Sequence, residues 1–175
     1  MRSRVLRCVV LWALPAFVRA ALAADDPCAG FRWDVRPEHA LFATAAEAVL
    51  AGQAADSAPK LVLDKLYELT LAPRERITFA ASSGSKTPAT STFAGLARLR
   101  VTAAGDYRVS VDPGVWVDIA ANHQLIAPDD FQGQPDCHAP RKIVVYRVSG
   151  GQDLIVQLSG SSSSVRLTIT RVRGQ

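Results

Sequence analysis

The residues with chemistry to offer are few, and their spacing limits what they can do. His39, His123 and His138 are the histidines, and no two lie within ten residues of each other. An iron site on a jelly-roll scaffold gathers two or three histidines and a carboxylate from neighbouring strands, often through a His-x-His pair. No such pair occurs here, so exposed loop histidines are the expectation, with no metal and no cofactor assigned. Asp112, Asp118, Asp129 and Asp130 are the acidic candidates, without the D-x-D-x-D-G spacing of a calcium loop. Ser83-Gly84-Ser85-Lys86 has the Ser-x-x-Lys form, but Gly84 and Pro88 place it in a loop, where that chemistry needs a helix. The same stretch lacks the paired glycines of a phosphate loop. The sequence therefore assigns no catalytic residues.

Cysteine usage points to a compartment. Arg2, Arg4 and Arg7 precede an apolar run from Cys8 to Val18, and Ala21-Leu22-Ala23 forms a small-x-small cleavage site. Residues 1–23 read as a secretory signal peptide, which leaves a single domain over 24–175. The leader removes four of the 20 basic residues and none of the acidic ones, leaving 16 of each sign. A mature chain of no net charge offers no electrostatic basis for binding nucleic acid. No further apolar run is long enough to span a membrane. The remaining cysteines, Cys28 and Cys137, are best read as one disulfide in an oxidising compartment, the periplasm or beyond.

The elements that must position these groups are strands. Ala97, Leu99 and Val101 alternate with Arg98 and Arg100; Tyr107, Val109 and Val111 alternate with Arg108 and Ser110. Val115, Val117 and Ile119 alternate with Trp116 and Asp118. Side chains on a strand alternate faces, so each segment presents one apolar face to a core. Pro113-Gly114 has type II chemistry, which suits a bend between sheets better than a tight hairpin.

Further strands are expected at 66–71, at Ile77 and Phe79, at 143–148, around Leu154 to Leu158 and around Val165 to Ile169. Phe31 and Trp33 are spaced for a short edge strand, or else cap one end of the core. Thr44 to Glu47 matches a capping box and predicts a short helix over 45–51, although Ala40 to Ala43 equally suits a strand. The fold class is all-β: an antiparallel sandwich or jelly roll of about eight strands with one short N-terminal helix.

Segments 82–92 and 122–140 read as the two longest loops. The second collects the candidate ligand-binding groups His123, Asp129, Asp130, Phe131 and His138, and Cys137 would rigidify it. Trp116 is the remaining candidate. Beside Asp118 it either stacks on a sugar ring or fills an inner face of the strand.

The stretches CAGFRWDVRPEHALF, LYELTLAP, AGDYRVSVD, WVDI and DFQGQPDCHAPRKIV resemble a family of small exported proteobacterial proteins without an established activity. Some of its members carry the name homogentisate 1,2-dioxygenase, although that enzyme is a far larger cytoplasmic iron protein whose His/Glu/His motif has no counterpart here. The strand rhythm also resembles the small pre-peptidase-type β-sandwich modules of secreted peptidases. The resemblance implies little about function; the residues themselves lead to an exported, non-catalytic protein with a binding or structural role in the bacterial envelope, its partner a glycan or another envelope component. The alternative is an iron dioxygenase on a cupin-like jelly roll.

Overall fold

The computed structural model describes residues 26–82 and 90–172. The expected leader over 1–23 and the Ser-x-x-Lys motif lie outside the described residues. Two sheets form a β-sandwich. The first sheet holds β1 (Glu47–Leu50), β3 (Tyr67–Thr70), β12 (Ser164–Arg171), β6 (Gly105–Asp112), β10 (Lys142–Val148) and β9 (Asp130–Gly133), in that spatial order. The second holds β2 (Lys60–Leu61), β5 (Phe93–Val101), β11 (Gln152–Gly160), β7 (Trp116–Ala121) and β8 (Gln124–Ile126), with β4 (Ala72–Pro73) also paired to β5. Pairing is antiparallel except between β1 and β3 and between β2 and β5.

The alternation in the sequence explains the interior. Leu99, Ile119 and Leu154 of the second sheet belong to the same buried cluster as Val109, Tyr146 and Leu167 of the first. Successive strands change sheet, since β5 and β7 belong to the second and β6 to the first. Pro113-Gly114 therefore carries the chain between sheets, as its composition suggests. The bend is not type II: the Asp112–Pro113 peptide is cis, and Gly114 lacks the positive φ such a turn requires.

One hydrogen bond ties the two sheets through the core. The Tyr146 hydroxyl on β10 donates to the Val117 carbonyl on β7 at 2.8 Å. Burial, reinforced by the nearby Asp118 charge, pushes the phenol well above its ordinary value of 10.0. A folded-state value above the unfolded one contributes stability that is fully present below about pH 10 and is lost as pH rises further. Tyr146→Phe is expected to cost about 1 kcal/mol at neutral pH. Between pH 10 and 12 it should lose less stability than the parent, the difference bounded by about 1.4 kcal/mol per pH unit. Urea unfolding of both proteins across this range checks the expectation, and parallel curves would contradict it.

Several local expectations change. The helix is α1 (Arg36–Phe42), with Pro37 in its first turn, rather than 45–51. Thr44 does not cap a helix: its hydroxyl donates to the Leu41 carbonyl behind it. Glu47–Leu50 instead pairs with β3, so a tertiary partner overrides local helix preference. Ile77 and Phe79 form no strand; they pack with Ala94 and Leu96 in a separate apolar cluster. Phe31 and Trp33 form no edge strand either. They pack around Cys28, Cys137 and Ile143, outside the main core.

The 122–140 segment is not a loop throughout, because it contains β8 and β9. Asn122 and His123 both have positive φ, 50° and 62°, and join β7 to β8 as a two-residue hairpin of the type I′ form.

Candidate functional site

β8 and β9 are the edge strands of opposite sheets. Residues 127–129 join them, and the sandwich is open between them. A cavity of about 480 Å³ occupies this opening. β7 contributes Trp116 and Asp118, β8 contributes Leu125 and Ile126, β9 contributes Phe131, and β10 contributes Lys142 and Val144, with Pro128 on the connection. Half of the lining thus comes from the segment 122–140 that the sequence singles out.

The lining is mostly apolar, with one cation and one carboxylate. Phe131 is 63% exposed and Leu125 38%, two of the four exposed large hydrophobics among the described residues. Water gains nothing from such a ring, so paired exposure in one concavity marks a surface suited to covering. Lys142 Nζ donates to the Val115 carbonyl at 3.0 Å and lies 5.4 Å from the Trp116 ring centroid. That distance gives the ammonium a cation–π contact with the indole. Burial depresses the Lys142 ammonium below its ordinary value, and the charge of Asp118 pulls it partly back.

Two polar atoms lie just beneath the cleft surface. Trp116 Nε1 and Asp118 Oδ2 are buried and find no hydrogen-bond partner among the described residues. A buried unpaired donor or acceptor costs on the order of 1–3 kcal/mol, so both gain if a ligand or water reaches them. Trp116 is half-buried. It lies on the face of β7 opposite Val117 and Ile119, which enter the core.

Of the other candidates, none lines the cleft. His123 sits at the β7–β8 hairpin with Nδ1 3.3 Å from the Ala80 carbonyl. His138 is exposed, with Nδ1 3.2 Å from Asp112 Oδ1. Asp129 faces Arg147 at 3.2 Å, and Asp130 accepts from Arg32 at 2.8 Å. Asp112 also holds Arg166 at 2.5 Å. Asp112, Asp129 and Asp130 are therefore divided among separate cationic partners, and Asp118 is the acidic candidate that lines the cleft. Trp116 and Phe131 are the pair that the fold brings together.

The Cys28–Cys137 disulfide is present, with Cα atoms 4.9 Å apart. It fastens the N-terminal segment to the connection between β9 and β10. Lys142 and Val144 enter the cleft from β10, a strand apolar on both faces that reads only as core, so nothing local marks them as cleft residues. His39 carries no local mark either: it approaches both disulfide sulfurs across 11 and 98 residues of chain, beyond the reach of any spacing rule. No helix among the described residues is long and apolar enough to cross a membrane. No protein-family model matches the chain, and no curated protein is significantly similar to it.

Proposed function

We propose that this protein is an exported, non-catalytic binding protein of the bacterial envelope, and that the edge cleft is its ligand seat. The single observation behind this reading is the cleft's composition: Phe131, Leu125 and Trp116 form an apolar surface flanked by Lys142 and Asp118. A saccharide matches that composition. Its ring faces carry C–H groups that stack on aromatics, and its hydroxyls both donate to a carboxylate and accept from an ammonium. The disulfide supports export, because such bonds persist in oxidising compartments.

The cleft is assembled by strands of a rigid sandwich, and Cys137 anchors the connection that follows β9. Less ordering is then needed on binding. A glycan array followed by calorimetry on the positive ligand tests the reading. Phe131→Ala should weaken binding by about tenfold or more, the loss typical of a central aromatic anchor. Its melting temperature should stay unchanged, because the ring is largely exposed. Absence of glycan binding, or unchanged affinity in both Phe131→Ala and Trp116→Ala, rejects the proposal.

A further inference from the structure

The N-terminal segment brings a third group to the disulfide. A ring nitrogen of His39 and the sulfurs of Cys28 and Cys137 all lie within 4.8 Å of one another. His39 Nε2 is buried and without a hydrogen-bond partner among the described residues. Cys137 is fully buried and Cys28 nearly so. We infer that, in its dithiol state, this triad is a binding site for a borderline-soft divalent metal ion such as zinc.

The donor set has the required chemistry. Two thiolates and a neutral imidazole are zinc ligands, and a water completes a tetrahedral site. With metal–sulfur and metal–nitrogen bonds of about 2.3 and 2.0 Å, tetrahedral ligand atoms lie roughly 3.5–3.8 Å apart. The three ligand atoms lie within 4.8 Å of one another, so adjustments of about 1–2 Å on reduction bring them to that spacing. Charge also favours it. Two thiolates neutralise a dication, so the complex carries no net charge into a corner formed by Phe31, Val35 and Ile143. His39 is held in position by α1, where its backbone N–H donates to Val35 O at 2.9 Å.

The site is opened and closed by thiol–disulfide exchange. An external dithiol attacks the disulfide through its thiolate and forms a mixed disulfide. Its second thiol then resolves that bond, leaving Cys28 and Cys137 as thiols and the reductant as a disulfide. Metal binding displaces the two thiol protons to solvent. A small-molecule disulfide reverses the exchange and expels the metal. The metal and the disulfide thus bind the same residues in alternative oxidation states.

Cobalt(II) titration of the full chain tests this, after reduction and anaerobic removal of the reductant. The expected result is the intense visible spectrum of a tetrahedral thiolate complex, saturating at one cobalt per chain and absent from the oxidised protein. His39→Ala should weaken binding by roughly tenfold or more, at least the loss seen for supporting residues of metal sites. Cys28→Ser should abolish the thiolate bands. Near-ultraviolet circular dichroism accompanies each titration. If reduction unfolds the chain, recovery of the native signal with cobalt in the parent but not in His39→Ala supports the site. No thiolate spectrum, cobalt binding without recovery of the fold, or a His39→Ala protein with the parent's affinity overturns it.

Discussion

Replacing both Cys28 and Cys137 with alanine should lower stability by about 4–5 kcal/mol, the largest effect expected of any change described here. The two cysteines are 109 residues apart, so the bond closes most of the described chain into one loop. Without it the unfolded ensemble regains that loop's freedom, an entropy that grows with the logarithm of loop length. For a chain of this size the melting temperature should fall by roughly 10–18 °C. The folded state changes little, because the main core does not include these residues. Thermal unfolding with near-ultraviolet circular dichroism at about 20 °C checks both parts. A loss under about 1 kcal/mol would mean that the unfolded chain is already compact around these positions.

Arg108→Met should be the next most damaging, at about 3–5 kcal/mol. Glu38 on α1 is only 1% exposed. One of its carboxylate oxygens accepts from Thr170 Oγ1 at 2.8 Å and from Arg108 at 3.3 Å, while the other has no partner among the described residues. Taking away the guanidinium leaves a buried carboxylate facing one hydroxyl. It also removes the donor to the Asp34 carbonyl and the cation above the Trp33 ring. Breaking a buried pair on one side is far more harmful than replacing both members. Adding Glu38→Gln to Arg108→Met should therefore recover a large part of the loss. Urea unfolding of the parent, both single variants and the double variant measures the coupling. Additive losses would show that the two side chains act independently.

The long strands were legible because apolar residues alternating over about five positions gather on one face only when the backbone is extended. β5, β6, β7, β11 and β12 all carry that alternation, and the core follows directly from their apolar phase. Short elements were not legible. Glu47–Leu50 carries helix-favouring residues and becomes a strand only because β3 offers it backbone partners. β8 and β9 hide in a polar stretch, and the Asn122-His123 turn between β7 and β8 is a weaker signal than Asn-Gly.

The cleft was half legible. Trp116 and Phe131 are large, aromatic and flanked by polar residues, so their types draw notice. Lys142 and Val144 depend on which sheet β10 joins and which edge it approaches, and no local pattern encodes that. His123, Asp129, Asp130 and His138 drew notice for the same compositional reason, yet each serves a separate hairpin or ion pair.

The places of the last two strands bear on when the molecule acquires its shape. β12 lies between β3 and β6 at the middle of one sheet, and β11 lies between β5 and β7 at the middle of the other. A chain halted before Gln152 lacks the centre of both sheets at once. Its first sheet is split into β1–β3 and β6–β10–β9, its second into β2–β5 and β7–β8. Each piece keeps only two or three strands and loses the central strand it pairs with, so partial assembly gains little stability. Folding must wait until β11 and β12 have both been made, and then close contacts between distant parts of the chain, which is slow. Until then the strands that flank β11 and β12 keep unpaired edges, ready to pair with the wrong neighbour.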